Sequence, residues 1–146
     1  MIIVLNSMML IKWILIISLL CAPLQVSALQ LLFVSTDWCP VCHRVDTEVV
    51  PTYQSSDLPF IKIDITTGII ENKEYANAYR NGEIARLYGV PAFIIWDEVN
   101  KREIVRWVGY VSVAHFNDML ERAKVVAINN IEKCKNFNIC VPSNIQ

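Results

Sequence analysis

The pattern of hydrophobic and polar positions divides the chain into short apolar runs separated by polar, helix-compatible segments. Residues 29–35 (LQLLFVS) and 92–96 (AFIIW) are continuous apolar runs, each about as long as one buried strand. Residues 60–65 (FIKIDI) alternate in the two-residue period of a strand, and residues 104–108 form the return strand of a predicted hairpin. The pattern therefore predicts four strands.

Two polar segments between these strands are compatible with helices. Residues 41–50 follow Pro40, and proline is favoured in the first turn of a helix because its missing N–H would have no partner there. Residues 72–88 are also helix-compatible, and Asn81-Gly82 predicts a break of this helix into two pieces.

A long amphipathic helix is predicted after Ser112, which is a suitable N-cap residue. Its apolar residues recur at three- and four-residue steps: Val113, Phe116, Met119, Leu120, Ala123 and Ala127. The predicted order is β, α, β, α, β, β, α, which is typical of an α/β domain with helices on the faces of a central sheet.

The first 28 residues have a different composition, with a single charged residue, Lys12, and a long apolar stretch. A positive start, an apolar stretch and the small-residue exit Val26-Ser27-Ala28 are typical of a secretory signal, so we expect cleavage after Ala28. A retained membrane anchor is the alternative. Residues 13–24, however, supply only about twelve apolar residues, whereas a spanning helix needs roughly 20.

The predicted organisation is a signal peptide over residues 1–28, one domain over residues 29–130 and a C-terminal tail over residues 131–146. Export predicts a periplasmic location, or a membrane-anchored one if the signal is not cleaved. The net charge is −1 and no stripe of basic and aromatic residues is present, so nucleic acid is not an expected partner. The sequence has only four glycines and no G-x-G-x-x-G run, so no nucleotide cofactor is expected.

Four cysteines follow the predicted cleavage site, and the first two form a C-P-V-C motif at Cys39 and Cys42. This motif is a redox disulfide, a permanent staple, or half of a zinc site shared with Cys134 and Cys140. Disulfides persist in exported proteins, and a loop this small constrains the unfolded chain little, which disfavours a mere staple. The spacing of the second pair is unusual for zinc. A redox pair without metal is therefore the favoured interpretation.

The C-terminal cysteines, Cys134 and Cys140, bracket the sequence KNFNI at the end of the last predicted helix. In an oxidising compartment we expect them to form a structural disulfide that pins the C terminus. The alternative is a second redox pair that feeds Cys39 and Cys42.

The two cysteines of the C-P-V-C motif have different predicted roles. Cys39 falls at the N-cap of the predicted helix, where unpaired N–H groups and the helix dipole stabilise negative charge. Such an environment lowers a cysteine pKa from about 8.5 to roughly 3.5–7.5. Cys39 is therefore the predicted attacking thiolate, and Cys42, one turn inside the helix, is the predicted resolving thiol.

The order of elements resembles the thioredoxin superfamily, with Trp-Cys-Pro-Val-Cys at residues 38–42 after the first strand and Tyr-Gly-Val-Pro-Ala at residues 88–92 before the third. The resemblance covers about residues 29–126. It implies a thioredoxin-like α/β fold with a central mixed four-stranded sheet and helices on both faces. The implied activity is thiol–disulfide exchange.

Two details are similar to the periplasmic thioredoxin-like proteins that accompany bacterial sulfur-oxidation systems. One is the Cys42-His43 step with the sequence EVVP at residues 48–51, and the other is WVGY at residues 107–110. This similarity implies a periplasmic thiol–disulfide oxidoreductase.

The resemblance also assigns a substrate-binding role to Trp38, Pro40, Val90 and Pro91. It implies that the bond before Pro91 is cis and that Val90 offers its backbone to a client chain as an added strand. One position departs from the family. Relatives carry a buried acid six residues before the first cysteine, where this chain has Phe33. Either a water molecule, Lys62 or Asp37 takes its place, or exchange through Cys42 is slower than in a fast reductase.

The sequence features that bear on the direction of electron flow conflict with one another. Pro40-Val41 matches neither the Gly-Pro of thioredoxins nor the Pro-His of periplasmic oxidases, and Val90-Pro91 followed by alanine is closer to the oxidases. Trp38 and the sulfur-oxidation similarity favour a reductase. We therefore expect a reductase of client proteins with cysteines, recharged by a membrane redox partner. A disulfide oxidase or isomerase is one alternative, and a peptide-binding or chaperone module with idle cysteines is another.

Overall fold

A computed structural model describes residues 29–55, 57–67 and 73–145, so the predicted signal peptide lies outside the described residues. The elements are β1 (Leu29–Ser35), α1 (Pro40–Glu48), a 3₁₀ turn (Val50–Thr52), β2 (Phe60–Asp64), α2 (Lys73–Arg80), β3 (Ala92–Asp97), β4 (Arg102–Val108), α3 (Val113–Phe137) and β5 (Ser143–Asn144). The predicted order of the first four strands and of the helices is confirmed. No helix in the described part of the chain is long and apolar enough to cross a membrane.

The sheet has five strands in the order β2-β1-β3-β4-β5. β1 runs parallel to β2 and antiparallel to β3, β3 is antiparallel to β4, and the short β5 is parallel to β4. The sheet is therefore mixed, as predicted, but the predicted number of four strands is wrong by one. β5 escaped prediction because two polar residues have no periodicity to detect.

Helices cover both faces of the sheet, as predicted. Because successive strand residues point to opposite faces, Phe33 packs with α1 and α3, whereas Leu32 packs with α2. Phe93 is the centre of the first core, since its ring lies 5.4 Å from Phe33, 5.0 Å from Trp107 and 5.1 Å from Phe116 between ring centroids. This aromatic core supports the side of the sheet on which the cysteine-bearing α1 lies.

The prediction of a second helical piece after Asn81-Gly82 is wrong, because residues 81–91 form no helix. Gly82 adopts the left-handed conformation with φ of +73°, and the N–H of Glu83 donates to the carbonyl of Ala78 at 2.8 Å. These features end α2 in the way glycine commonly ends helices. The chain then continues as a loop to Pro91.

A buried ion pair on β4 holds this loop. Arg106 contacts both carboxylate oxygens of Glu103, at 2.8 and 2.6 Å, and the two side chains are 6% and 2% exposed. The same guanidinium donates to the carbonyls of Ala85 at 2.8 Å and Arg86 at 2.9 Å. An irregularity of the β3–β4 register, which pairs Trp96 with Glu103, accompanies this arrangement. The buried guanidinium is thus bonded at all three of its nitrogens, by one carboxylate and two loop carbonyls.

The C-terminal tail folds back against the sheet. α3 passes residue 130 without a break and ends at Phe137, and its C-cap Asn138 has a left-handed φ of 57°. Asn130 then donates from Nδ2 to the carbonyl of Ile104 at 3.2 Å and to the hydroxyl of Ser143 at 2.9 Å. These bonds hold β5 beside β4.

Candidate active site

The two cysteines of the C-P-V-C motif lie where β1 passes into α1. Cys39 is the N-cap of α1, and its Sγ accepts a hydrogen bond from the backbone N–H of Cys42 at 3.1 Å. Pro40 occupies the first turn, as the sequence predicts, so its missing N–H leaves no helical bond unmade. The sulfur of Cys39 therefore takes the position that an N-capping oxygen occupies in other helices.

Cys39 and Cys42 form a disulfide with a Cα–Cα distance of 5.2 Å. Cys39 is 5% exposed and Cys42 is 1% exposed, so the first cysteine is the more accessible of two shielded groups. The C-terminal cysteines are bonded to each other in a second disulfide, Cys134–Cys140. The two pairs are therefore separate, and no group of three or more metal-ligating side chains occurs in the described residues.

An open groove of about 410 Å³ has mostly apolar walls and is lined by Trp38, the residue before Cys39. Trp38 is 70% exposed at its edge, and Val90 forms part of its wall. The Val90–Pro91 peptide bond is cis, and the buried Pro91 accepts a hydrogen bond at its carbonyl from the N–H of Gly109 at 2.8 Å. The groove is lined by Thr36, Trp38, Ile65, Leu87, Gly89 and Val90.

The predicted binding residues thus take different positions around this groove. Trp38 and Val90 line it, whereas Pro91 is buried behind it and Pro40 is exposed on the first turn of α1. The side chain of Val108 packs closely against Gly89, since a Cβ at Gly89 would lie 3.3 Å from Cγ1 of Val108. Glycine at this position keeps the groove wall close to β4.

A network that the sequence did not reveal fixes the outer side of α1. Arg44 pairs with Glu48 at 3.0 Å, donates to the carbonyl of Val111 at 3.0 Å and lies 5.2 Å from the ring centroid of Tyr110. The Tyr110 hydroxyl donates to Glu48. The hydrogen bonds from Arg44 and then Tyr110 lower the pKa of Glu48, and burial followed by the Glu48 contact raises the pKa of Tyr110 to about 12. Only the Arg44–Glu48 spacing of four residues was a visible signal.

Phe33 occupies the position where relatives carry a buried acid, and it stacks in the aromatic core. Lys62, its register partner on β2, lies 5.8 Å from the Phe33 ring centroid and pairs at 2.7 Å with Asp46. Asp46 is on α1, four residues after Cys42 and hence on the same face of the helix. The helix, rather than the strand, therefore supplies an acid on the face of α1 that carries Cys42.

The other two residues considered for this role are Lys62, which pairs with Asp46, and Asp37. Asp37 lies on the exposed loop before Trp38, where its backbone N–H donates to Thr66 Oγ1 at 2.8 Å and its carbonyl bonds His43 Nε2 at 2.7 Å. His43 is thus turned toward the loop that carries Asp37.

Asp46 was missed by sequence reasoning, although its four-residue spacing from Cys42 was a usable signal.

Comparison with known proteins places this arrangement in a family. A family model of the thioredoxin-like domain matches residues 25–124. No curated protein gives a significant match to the chain.

Three solved structures illustrate the similarity. A mutant thioredoxin from Halobacterium salinarum NRC-1 is 22% identical over 66% of this chain and 75% of its own, with a TM-score of 0.45. Trxlp from Edwardsiella tarda EIB202 is 25% identical over 64% and 82%, with a TM-score of 0.43. The C-terminal domain of Neisseria meningitidis DsbD in the reduced form is 18% identical over 68% and 84%, with a TM-score of 0.46. Since the family model spans more than half of the sequence, the chain belongs to the thioredoxin-like family.

Proposed function

We propose that the chain is an exported thiol–disulfide oxidoreductase that acts on client proteins through Cys39 and Cys42. The observation that carries this proposal is a disulfide at the N-terminus of α1, with its first sulfur as the N-cap and the preceding residue, Trp38, in the wall of an open apolar groove. The export step is supported by the signal-like composition of residues 1–28.

The proposed reaction begins from the reduced pair. The thiolate of Cys39 attacks one sulfur of a client disulfide, a mixed disulfide forms, and the other client sulfur leaves as a thiolate. Cys42 then loses its proton and attacks the sulfur of Cys39. The second client thiolate leaves, so the client gains two electrons and the Cys39–Cys42 disulfide re-forms.

The helix start supplies the charge stabilisation for the first step. The backbone N–H of Cys42 already points at Cys39 Sγ at 3.1 Å, and this donor bonds a thiolate more strongly than a neutral sulfur. The first turn of α1, with the sequence PVCH, has no acidic residue to oppose the negative charge. Val41 adds no charge of its own, which supports a moderate stabilisation and the reductase direction.

Asp46 is the proposed acceptor of the Cys42 proton. Side chains of a helix tilt toward its N-terminus, so the carboxylate of Asp46 extends toward the turn that contains Cys42. Its carboxylate is held at 2.7 Å by Lys62, whose ammonium group lies 5.8 Å from the Phe33 ring centroid. This pair would perform the function of the strand acid that the family otherwise uses.

The groove is the proposed docking surface for the client. Its apolar walls and the exposed Trp38 would contact side chains on either side of the client disulfide, and Val90 would bond the client backbone in the manner of an added strand. The proposed electron donor is a membrane redox partner, since reduction of clients leaves Cys39 and Cys42 oxidised.

Insulin reduction in the presence of dithiothreitol tests the activity. The wild-type protein should accelerate insulin precipitation above the dithiothreitol background, and the matched Cys39→Ser variant should not. A normally folded protein without turnover would overturn the proposal and favour a peptide-binding or chaperone module. For the direction, a redox titration should give a potential well below about −150 mV, since a higher value is characteristic of disulfide oxidants.

A further inference from the structure

We infer that Cys134–Cys140 is a second exchangeable disulfide, which accepts electrons from a thiol partner independently of Cys39 and Cys42. The first observation is a side chain that contacts the bond from outside: Nη1 of Arg102, on β4, donates a hydrogen bond to Sγ of Cys134. A guanidinium bonds a thiolate far more strongly than a disulfide sulfur, because only the thiolate carries a charge. Arg102 therefore stabilises the reduced form selectively.

The second observation is access. Cys140 is exposed, and Cys134 is half-buried at the last turn of α3. A water-sized cavity of about 10 Å³ is lined in part by Arg102 and Cys140. Because Cys140 is the exposed member of the pair, an attacking thiolate would approach Cys140 and leave Cys134 beside the arginine.

The charges around the pair decide how much Arg102 contributes. Its Nε lies 3.4 Å from Asp97 Oδ2, so part of its charge is shared, but Asp97 is also bonded by the N–H groups of Val99 and Asn100. Glu103, the next residue along β4, pairs with Arg106. The negative end of the α3 dipole opposes a thiolate on Cys134. The direct contact with Arg102 thus offsets the unfavourable effect of the α3 dipole on a Cys134 thiolate.

The position of this pair excludes direct exchange with the active-site pair of the same molecule. Arg102 begins β4 and pairs with Asp97, whereas the other end of the strand, Val108, pairs with Ala92 next to the active-site groove. Six residue steps along a strand span about 20 Å, and disulfide exchange requires contact between sulfurs. The Cys134–Cys140 pair therefore needs a partner of its own.

The exchange balances as a two-electron reduction by a dithiol or by two molecules of a monothiol. A thiolate attacks Cys140, the Cys134–Cys140 bond breaks, and Cys134 leaves as a thiolate beside Arg102. The second thiolate attacks the mixed disulfide and releases Cys140. The partner thiols become a disulfide, and the two protons that they lose pass to the released cysteines or, where a cysteine stays a thiolate, to solvent.

Glutathione is the probe that tests this inference. The Cys39→Ser/Cys42→Ser variant of residues 29–146, which lacks Cys21 and retains only the Cys134–Cys140 pair, is equilibrated at about pH 8, near the ordinary thiol pKa, in buffers of reduced and oxidised glutathione. The samples are then acid-quenched and alkylated for mass spectrometry. We expect a reduced fraction in the folded protein that rises with the glutathione ratio. Adding Arg102→Gln should lower the equilibrium constant for reduction about tenfold, which is about 30 mV for a two-electron couple.

Two outcomes would overturn the inference. One is a pair that stays oxidised in the folded protein at every glutathione ratio, and the other is an equilibrium constant that the Arg102→Gln substitution leaves unchanged. Should Arg102→Gln fail to fold, Arg102→Lys keeps the charge near Asp97 and should give a smaller drop, of roughly two- to threefold, because a lysine lacks the forked donor geometry. Because the active-site cysteines are absent from this variant, failure here leaves the insulin result, and hence the proposed function, unaffected.

Discussion

The two disulfides of this protein lie at opposite kinds of helix terminus. Cys39–Cys42 lies at the N-terminus of α1, where the backbone N–H of Cys42 donates to the sulfur of Cys39, and both cysteines are buried. Cys134–Cys140 closes α3, where the dipole is unfavourable for a thiolate and an arginine side chain contacts the sulfur. The comparison shows that a helix start provides thiolate stabilisation from the backbone, whereas a helix end requires a side chain to provide it.

The largest expected effect separates the two pairs by activity. Cys39→Ser removes the nucleophile, so insulin reduction should fall to the dithiothreitol background. Cys134→Ser/Cys140→Ser leaves α1 and the groove intact, so its turnover should stay close to wild type. Parallel turbidity assays at equal protein concentration measure both. Loss of turnover in the Cys134→Ser/Cys140→Ser variant, with the fold retained, would mean that the two pairs act in series.

The next largest effect is a loss of stability in Arg106 variants. Arg106 lies on β4, which runs from Arg102 beside Cys134 to Val108 beside Gly89 in the groove wall. Arg106→Met leaves the buried Glu103 without its partner and frees the carbonyls of the loop at residues 85–86. Removing one member of a buried ion pair costs about 3–5 kcal/mol, so urea denaturation should show a loss of that size. The control is Arg122→Met, because Arg122 forms an exposed pair with Asp118 and should change stability by less than about 0.5 kcal/mol.

If Arg106→Met lowers the free energy of unfolding by less than about 1 kcal/mol, the loss falls well short of the cost of a broken buried pair. That result would contradict the assignment of Arg106 as the residue that fixes the loop. The result would also matter for the groove, since this loop leads into Val90. A stable variant with a raised KM for insulin and an unchanged rate of Cys39 alkylation would instead show that Arg106 positions the groove without supporting the fold.

Asp46→Asn tests the resolving step of the active-site pair. If Asp46 accepts the Cys42 proton, resolution of a mixed disulfide on Cys39 should slow by about 10²-fold, the lower range of general-base effects. Stopped-flow measurement of mixed-disulfide decay, with its pH dependence, checks this. The initial attack by Cys39 should change little. Equal decay rates for wild type and Asp46→Asn, with Lys62 still in place, would exclude the role.

The smallest expected effect is the acid dependence of stability at α1. The hydrogen bond from Arg44, followed by that from Tyr110, lowers the pKa of Glu48. Glu48 therefore stabilises the fold fully above its pKa in the unfolded chain, which is about 4.3. This stabilisation is lost as the pH falls through the lower pKa that Glu48 has in the folded protein. Glu48→Gln should flatten the fall in unfolding free energy below that unfolded pKa, and Arg44→Gln should flatten it similarly. An unchanged slope in both variants would contradict the shift.

The main elements of the fold were predictable because their signals are local. The alternation of β2, the apolar runs of β1 and β3 and the N-caps at Cys39 and Ser112 each depend on residues a few positions apart. The loop at residues 81–91 was misjudged because its conformation depends on Arg106, which lies 20 positions after Arg86 and 21 after Ala85 along the chain.

The site was predictable only in part, for the same reason. The C-P-V-C spacing indicates Cys39 and Cys42 directly, because both lie in one helical turn. The Asp46–Lys62 pair and the Arg102 contact join residues 16 and 32 positions apart, and only the folded chain brings them together. Charged residues at such separations carry no local pattern, so a sequence shows their presence without their partners.

The most direct test of Cys39 as the attacking thiolate is a trapping experiment with Cys42→Ala. Without the resolving thiol, a reduced protein mixed with a disulfide-containing peptide should accumulate one stable mixed disulfide. Peptide mapping by mass spectrometry should place that bond on Cys39. A bond found on Cys140, or none at all in a folded protein, would contradict the account.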